Sequence, residues 1–178
     1  VRVDVGTADL YYINVFGADS GNDYDLRWEA YDDYYEPNDT RLTAFDASGD
    51  DNAWLHDTYG YYGYHNDDDF FEILVLSPNL RVVVDLSFID AGSDNLDLEL
   101  IDGSNAVVAS STSTDSNEQI IYDVEIPGAY WIRVYNSGAP NDTEYNLRWY
   151  TTDDNYEDND TRANAYVSLA SGTDLSTV

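Results

Sequence analysis

The chain of 178 residues contains no cysteine, no methionine and no lysine. Without cysteine it has no disulfide, no thiolate metal ligand and no thiol nucleophile. Histidine is scarce, with His56 and His65 nine residues apart, and neither an H-E-x-x-H zinc pattern nor a G-x-S-x-G nucleophile elbow occurs. Gly-rich nucleotide loops are missing, and no apolar run approaches membrane-spanning length. With so few chemistry-bearing residues the chain reads as a non-enzyme. It opens at Val1 with neither an initiator methionine nor a signal-like apolar stretch, as expected of a processed protein or a fragment.

Positive charge is the next deficit. Seven basic residues, all arginine, face 36 acidic ones, and the net charge is −29. Such a chain is repelled by nucleic-acid phosphates and anionic membranes, so neither nucleic-acid binding nor membrane insertion is expected. It also repels itself, and salt or divalent cations must screen it for the compact state to persist. Two settings fit: a halophilic one, favoured by the missing lysine, or a calcium-containing extracellular medium. The acidity does not imply disorder, because 43% of residues are hydrophobic and 15% aromatic, enough for a packed core.

What is present is a repeat. YDDYYEPNDTR at residues 31–41 returns as TDDNYEDNDTR at 152–162, with Glu36 and Glu157 separated by 121 residues. Upstream, YDLRW at 24–28 matches YNLRW at 145–149 at the same separation. A period this long marks domain-sized units, with the acidic stretch as the joint between them. Residues 32–151 are then one complete unit, 1–31 the closing hairpin or donor strands of a preceding one, and 152–178 the opening segment of a following one.

Within the unit, the expected strands are short, rich in β-branched and aromatic residues, and bounded by Gly, Asn and Asp turns. FFEILVL (70–76) and RVVVDLSF (81–88) flank the turn Ser77-Pro78-Asn79, and LDLELI (96–101) alternates with Leu96, Leu98 and Leu100 on one face. Short strands are also expected at 41–45, 53–56, 106–110 and 118–126. AYWIRVY (129–135) and 144–151 read as a hairpin, repeating LYYINVF (10–16) and 24–30 with two more residues in the loop. No segment carries a helical period. The expectation is an all-β antiparallel sandwich.

Several motifs then fall in a familiar order: EPNDT-R, the acidic run before paired aromatics (DDDFFEI), D-x-x-D-L-x-L, Pro-Gly-x-Tyr-x-Ile-x-Val, and Tyr-x-Leu. This order resembles the bacterial pre-peptidase C-terminal domain family over residues 32–151, and over parts of both flanks. The resemblance implies a jelly-roll-like β-sandwich of the kind appended to secreted proteases and found in tandem on other extracellular proteins, although no protease domain is present here.

The leading site is a calcium joint. Ca²⁺ takes six to eight oxygen ligands, and Glu36, Asn38 and Asp39 offer three side-chain oxygens within four residues. Collagen-binding relatives in that family bind calcium at this motif and complete it with acids before the aromatic strand, which here are Asp67, Asp68 and Asp69. Glu157, Asn159 and Asp160 repeat the first half of the motif. Asn38, Asn141 and Asn159 each begin Asn-Asp-Thr, an N-glycosylation pattern, and the loop position of Asn141 suits a glycan best. At Asn38 and Asn159 the glycan and metal readings compete. Tyr59, Tyr61, Tyr62 and Tyr64 are a candidate stacking surface for a sugar or a collagen-like peptide, or loop tyrosines packing on the sandwich edge.

Taken together, the sequence predicts a non-catalytic extracellular or cell-surface repeat. Copies of it assemble head to tail into an array or filament by strand complementation and calcium-supported joints. The alternative is a carbohydrate- or protein-binding module of a secreted hydrolase or adhesin.

Overall fold

The computed structural model describes residues 10–17, 21, 23–28, 33–88, 95–136 and 143–153. Nine strands and one helical turn are defined among them: β1 (Phe45–Asp46), α1 (Leu55–Tyr59), β2 (Gly63–His65), β3 (Asp69–Val75), β4 (Arg81–Phe88), β5 (Leu96–Ile101), β6 (Val107–Ser111), β7 (Asn117–Asp123), β8 (Gly128–Asn136) and β9 (Thr143–Thr152). Alternation in the sequence writes the burial. Phe71, Ile73 and Val75 of β3, Val82, Val84 and Leu86 of β4, Ile132 and Val134 of β8, and Tyr145, Leu147 and Trp149 of β9 all point into one core.

Two sheets enclose that core, ordered β1-β3-β8-β5-β6 and β2-β9-β4-β7. Every strand pair is antiparallel except the two-residue edge strand β1 against β3. The eight strands β2 to β9 form an eight-stranded jelly roll, so the expected sandwich is the observed one. β8 sits between β3 and β5, and β9 between β2 and β4. The last two strands of the unit are thus interior in both sheets.

That placement corrects the expected hairpin. β8 and β9 do not pair with each other; the chain leaves one sheet after Asn136 and joins the other at Thr143. Two adjacent amphipathic strands can bury their inner faces by pairing or by crossing the core, and local sequence does not distinguish these. The strand expected at 53–56 is also replaced. Leu55–Tyr59 is one helical turn that buries Leu55 and is closed by Gly60 at φ 81, whose N–H donates to the His56 carbonyl. Of the strand expected at 41–45, only Phe45 is in a ladder, continuing to Asp46. In β5 the leucines face inward as expected, but Asp97 is buried rather than solvated and accepts from Asn95 Nδ2 at 3.0 Å.

Candidate metal site at the joint

The joint motif folds against one pole of the sandwich. Asp33 fixes its start as a double acceptor: Oδ1 takes the Tyr35 N–H and Oδ2 the Tyr64 N–H of β2, each at 2.7 Å. Tyr35 then inserts into the core, and its hydroxyl donates to the Tyr61 carbonyl at 2.7 Å. Three residues further, the Asn38 carbonyl accepts from the N–H of Phe70 in β3 at 2.8 Å. The joint is thereby stitched to β2 and to the start of β3. Arg41 clamps its far side. The guanidinium lies 3.7 Å from the centre of the Trp131 ring of β8 and donates to Asn105 Oδ1 at 2.9 Å, in the turn between β5 and β6.

Strand alternation sorts the three acids before the aromatics. Asp67 and Asp69 face the joint. Asp68 faces the opposite way, onto the outer surface, where Arg133 holds it at 2.6 Å and also reaches Glu99 at 2.8 Å. Carboxylate oxygens of Glu36, Asp39 and Asp67 lie within 4.8 Å of one another. Beneath them Asn38 is fully buried, with its backbone N–H on Glu36 Oε2 at 2.7 Å. Asp69 is fully buried too and accepts from the Tyr145 hydroxyl of β9 at 2.8 Å.

The Asn38 amide links the two layers. Turned with Nδ2 inward it donates to Asp69 Oδ1 at 3.1 Å and to both Glu36 oxygens at 3.1 and 3.2 Å. Turned with Oδ1 inward it would add a neutral oxygen to a ring of carboxylates, the donor set a hard cation takes. Burial pushes the Asp69 carboxyl well above its ordinary range, the charges of Asp33, Glu36 and Asp67 push it further, and the Tyr145 hydrogen bond pulls the other way. The residues present thus fit a calcium ion, and a cation would offset their mutual repulsion. Glu36, Asn38, Asp39, Asp67 and Asp69 are brought together, and Asp68 is not. Glu157, Asn159 and Asp160 lie outside the described residues.

The sequence reading missed Asp33 and Tyr145. Asp33 is legible in hindsight as the Asp two residues before a core tyrosine, an Asx-turn position. No local signal marks Tyr145, because it reaches Asp69 across the core from 76 residues away. The glycan reading at Asn38 is corrected: a side chain with no solvent exposure has no room for a glycan. Asn141 and Asn159 lie outside the described residues.

The four tyrosines do not form one platform. Tyr59 packs against Phe45 and donates to Asp50 Oδ2 at 2.8 Å. Tyr61 stacks on Tyr34 with centroids 4.9 Å apart, and Tyr62 on His56 at 4.0 Å, while Tyr64 is in β2. Tyr61 and Tyr62 are exposed, so each presents its remaining surface outward.

Fold and site together define the class: a jelly-roll β-sandwich with an acidic, oxygen-rich joint at one pole. No family model and no curated protein matches the chain. Among solved structures it is similar to the pre-peptidase C-terminal domain of a collagenase from Bacillus anthracis, at 16% identity over 56% of this chain and 89% of that one, with a TM-score of 0.43. It is also similar to PliG of Aeromonas hydrophila, a periplasmic inhibitor of g-type lysozyme, at 16% identity over 51% and 81%, with a TM-score of 0.40.

Proposed function

We propose that the protein is a non-catalytic, extracellular structural repeat of the pre-peptidase C-terminal kind, whose units follow one another head to tail in a surface array or filament with calcium at the joints. The observation that carries this reading is where the unit begins and ends. Its joint, residues 33–39, lies at the pole where β3 and β9 start. β9 then runs the length of the sandwich, and Thr152 emerges beside Arg81, at the opposite pole. The second copy of the joint motif follows at once, so successive joints are set one sandwich length apart. Ten residues of strand give roughly 33 Å, and an axial repeat of roughly 35–45 Å once the joint is included. A unit that receives and hands on the chain at opposite poles makes a contact that does not close on itself, which yields an open assembly.

Electron microscopy of the full chain, with millimolar calcium and again after chelation, tests this. Filaments with that axial repeat, dispersed by chelation, are the expected result. Filaments indifferent to chelation would keep the assembly and remove the metal from it. Discrete particles in both conditions would overturn the reading in favour of a module that binds carbohydrate or protein.

A further inference from the structure

Residues 10–16 and 24–28 repeat β8 and β9 in sequence but not in environment. Ile132, Leu147 and Trp149 are 0, 1 and 3% exposed, whereas their counterparts Ile13, Leu26 and Trp28 are 58, 54 and 72% exposed. Val15 and Tyr24, counterparts of the buried Val134 and Tyr145, are uncovered as well. Neither segment is in a ladder among the described residues.

The pattern of identity between the copies says what the segments are made for. At the inward positions the residues are the same: Ile13 and Ile132, Val15 and Val134, Tyr24 and Tyr145, Leu26 and Leu147, Trp28 and Trp149. At outward positions other than Arg27 and Arg148 they differ: Tyr12 against Trp131, Asn14 against Arg133, Asp25 against Asn146. A solvated segment needs the reverse, freedom at the apolar positions. The anchors are kept too. Tyr145 donates to Asp69, Trp149 Nε1 to the Ala47 carbonyl at 2.9 Å, and Arg148 to Asp85 at 2.6 Å; Tyr24, Trp28 and Arg27 carry the same groups at the same spacing.

Stoichiometry then selects the partner. The described chain has one core and two strand pairs able to fill it, and β8 and β9 already do so. Exchange with a unit whose own β8 and β9 are in place would only trade one pair for another. We infer that residues 10–16 and 24–28 are a second set of the two interior strands, and that their partner is a jelly-roll unit of this kind that lacks its own last two strands. In that partner 10–16 would take the β8 place and 24–28 the β9 place. This rests on the head-to-tail reading and specifies what completes a unit across a junction.

Because the chain has no cysteine, engineered thiols test the register without background. Asp25 is the counterpart of Asn146, which lies opposite Ser87 of β4. The acceptor is the full chain with S87C and L147D, whose own β9 is spoiled; the donor is the full chain with D25C. The expected result on mixing and mild oxidation is a disulfide-linked heterodimer at least tenfold more abundant than with S87C alone, where β9 is intact. A donor with L26C, slipped by one residue onto the opposite face, should link at background level. Where L147D leaves too little folded acceptor, W149A with S87C serves, and S87C with N146C in one chain shows that the pair can close. Equal linkage of D25C and L26C, or none to either acceptor, would overturn the inference. Filaments without the in-register link would leave the assembly reading standing, and the link without filaments would do the reverse.

Discussion

At the residue scale, Asp69 decides how the joint behaves. A buried carboxyl whose folded pKa is raised binds its proton more tightly in the folded than in the unfolded chain. It therefore favours the fold most below the ordinary carboxylate range, and this contribution is lost as pH rises through the raised folded value. In chelator, wild-type stability should fall along that limb, and D69N should flatten it and melt higher at neutral pH. With millimolar calcium the order should invert, because the variant loses an anionic ligand. Thermal melts of both proteins in both conditions check this, and a calcium response equal in the two would remove Asp69 from the site. Gly63 is the second such residue. A Cβ there would lie 2.2 Å from Tyr145 Cζ, against the ring whose hydroxyl reaches Asp69. G63A should cost about 1–3 kcal/mol in urea unfolding, as overpacking does, and should weaken the calcium response with it.

At the scale of the element, the same side chain has opposite consequences in its two copies. Leu147 is in the core of β9, so L147D places an unpaired carboxylate among apolar side chains and should cost about 4 kcal/mol or more. Leu26 is uncovered, and L26D should leave the unfolding midpoint of the unit unchanged while abolishing the D25C link to the acceptor whose β9 is spoiled, read on non-reducing gels. A shared loss of stability in both variants would mean that 24–28 is already part of the folded unit. The contrast follows from position in the sheets: β9 has ladders on both sides, with β2 and with β4.

For the whole molecule, a net charge of −29 over 178 residues makes self-repulsion a global term. The melting temperature should rise steadily as sodium chloride is raised from tens of millimolar to molar, as the Debye length falls from about 10 Å at 0.1 M to about 3 Å at 1 M. Calcium should produce an additional rise at millimolar concentration, where screening is slight. Magnesium at equal concentration separates the two effects: it screens alike, but its smaller, stricter octahedron suits this mixed carboxylate and amide set poorly. Identical curves for the two ions would reduce the joint to an acidic surface.

The β class, the acidic motif at residues 33–39 and the inward leucines of β5 were legible in the sequence. These are written in local period: alternation in RVVVDLSF and LDLELI names the inward residues whatever they pack against, and a repeat of 121 residues is visible without a fold. Which strands are neighbours was settled by packing alone. That β8 and β9 enter different sheets, that Asp68 is drawn away to Arg133 while Asp67 and Asp69 face the joint, and that Asn38 is buried beneath Glu36 all depend on partners far along the chain. The free energy of a strand's place belongs to the pair and not to the strand. Ile13, Leu26 and Trp28 show this most directly: each is more than half exposed, whereas the same side chains at Ile132, Leu147 and Trp149 are core in β8 and β9.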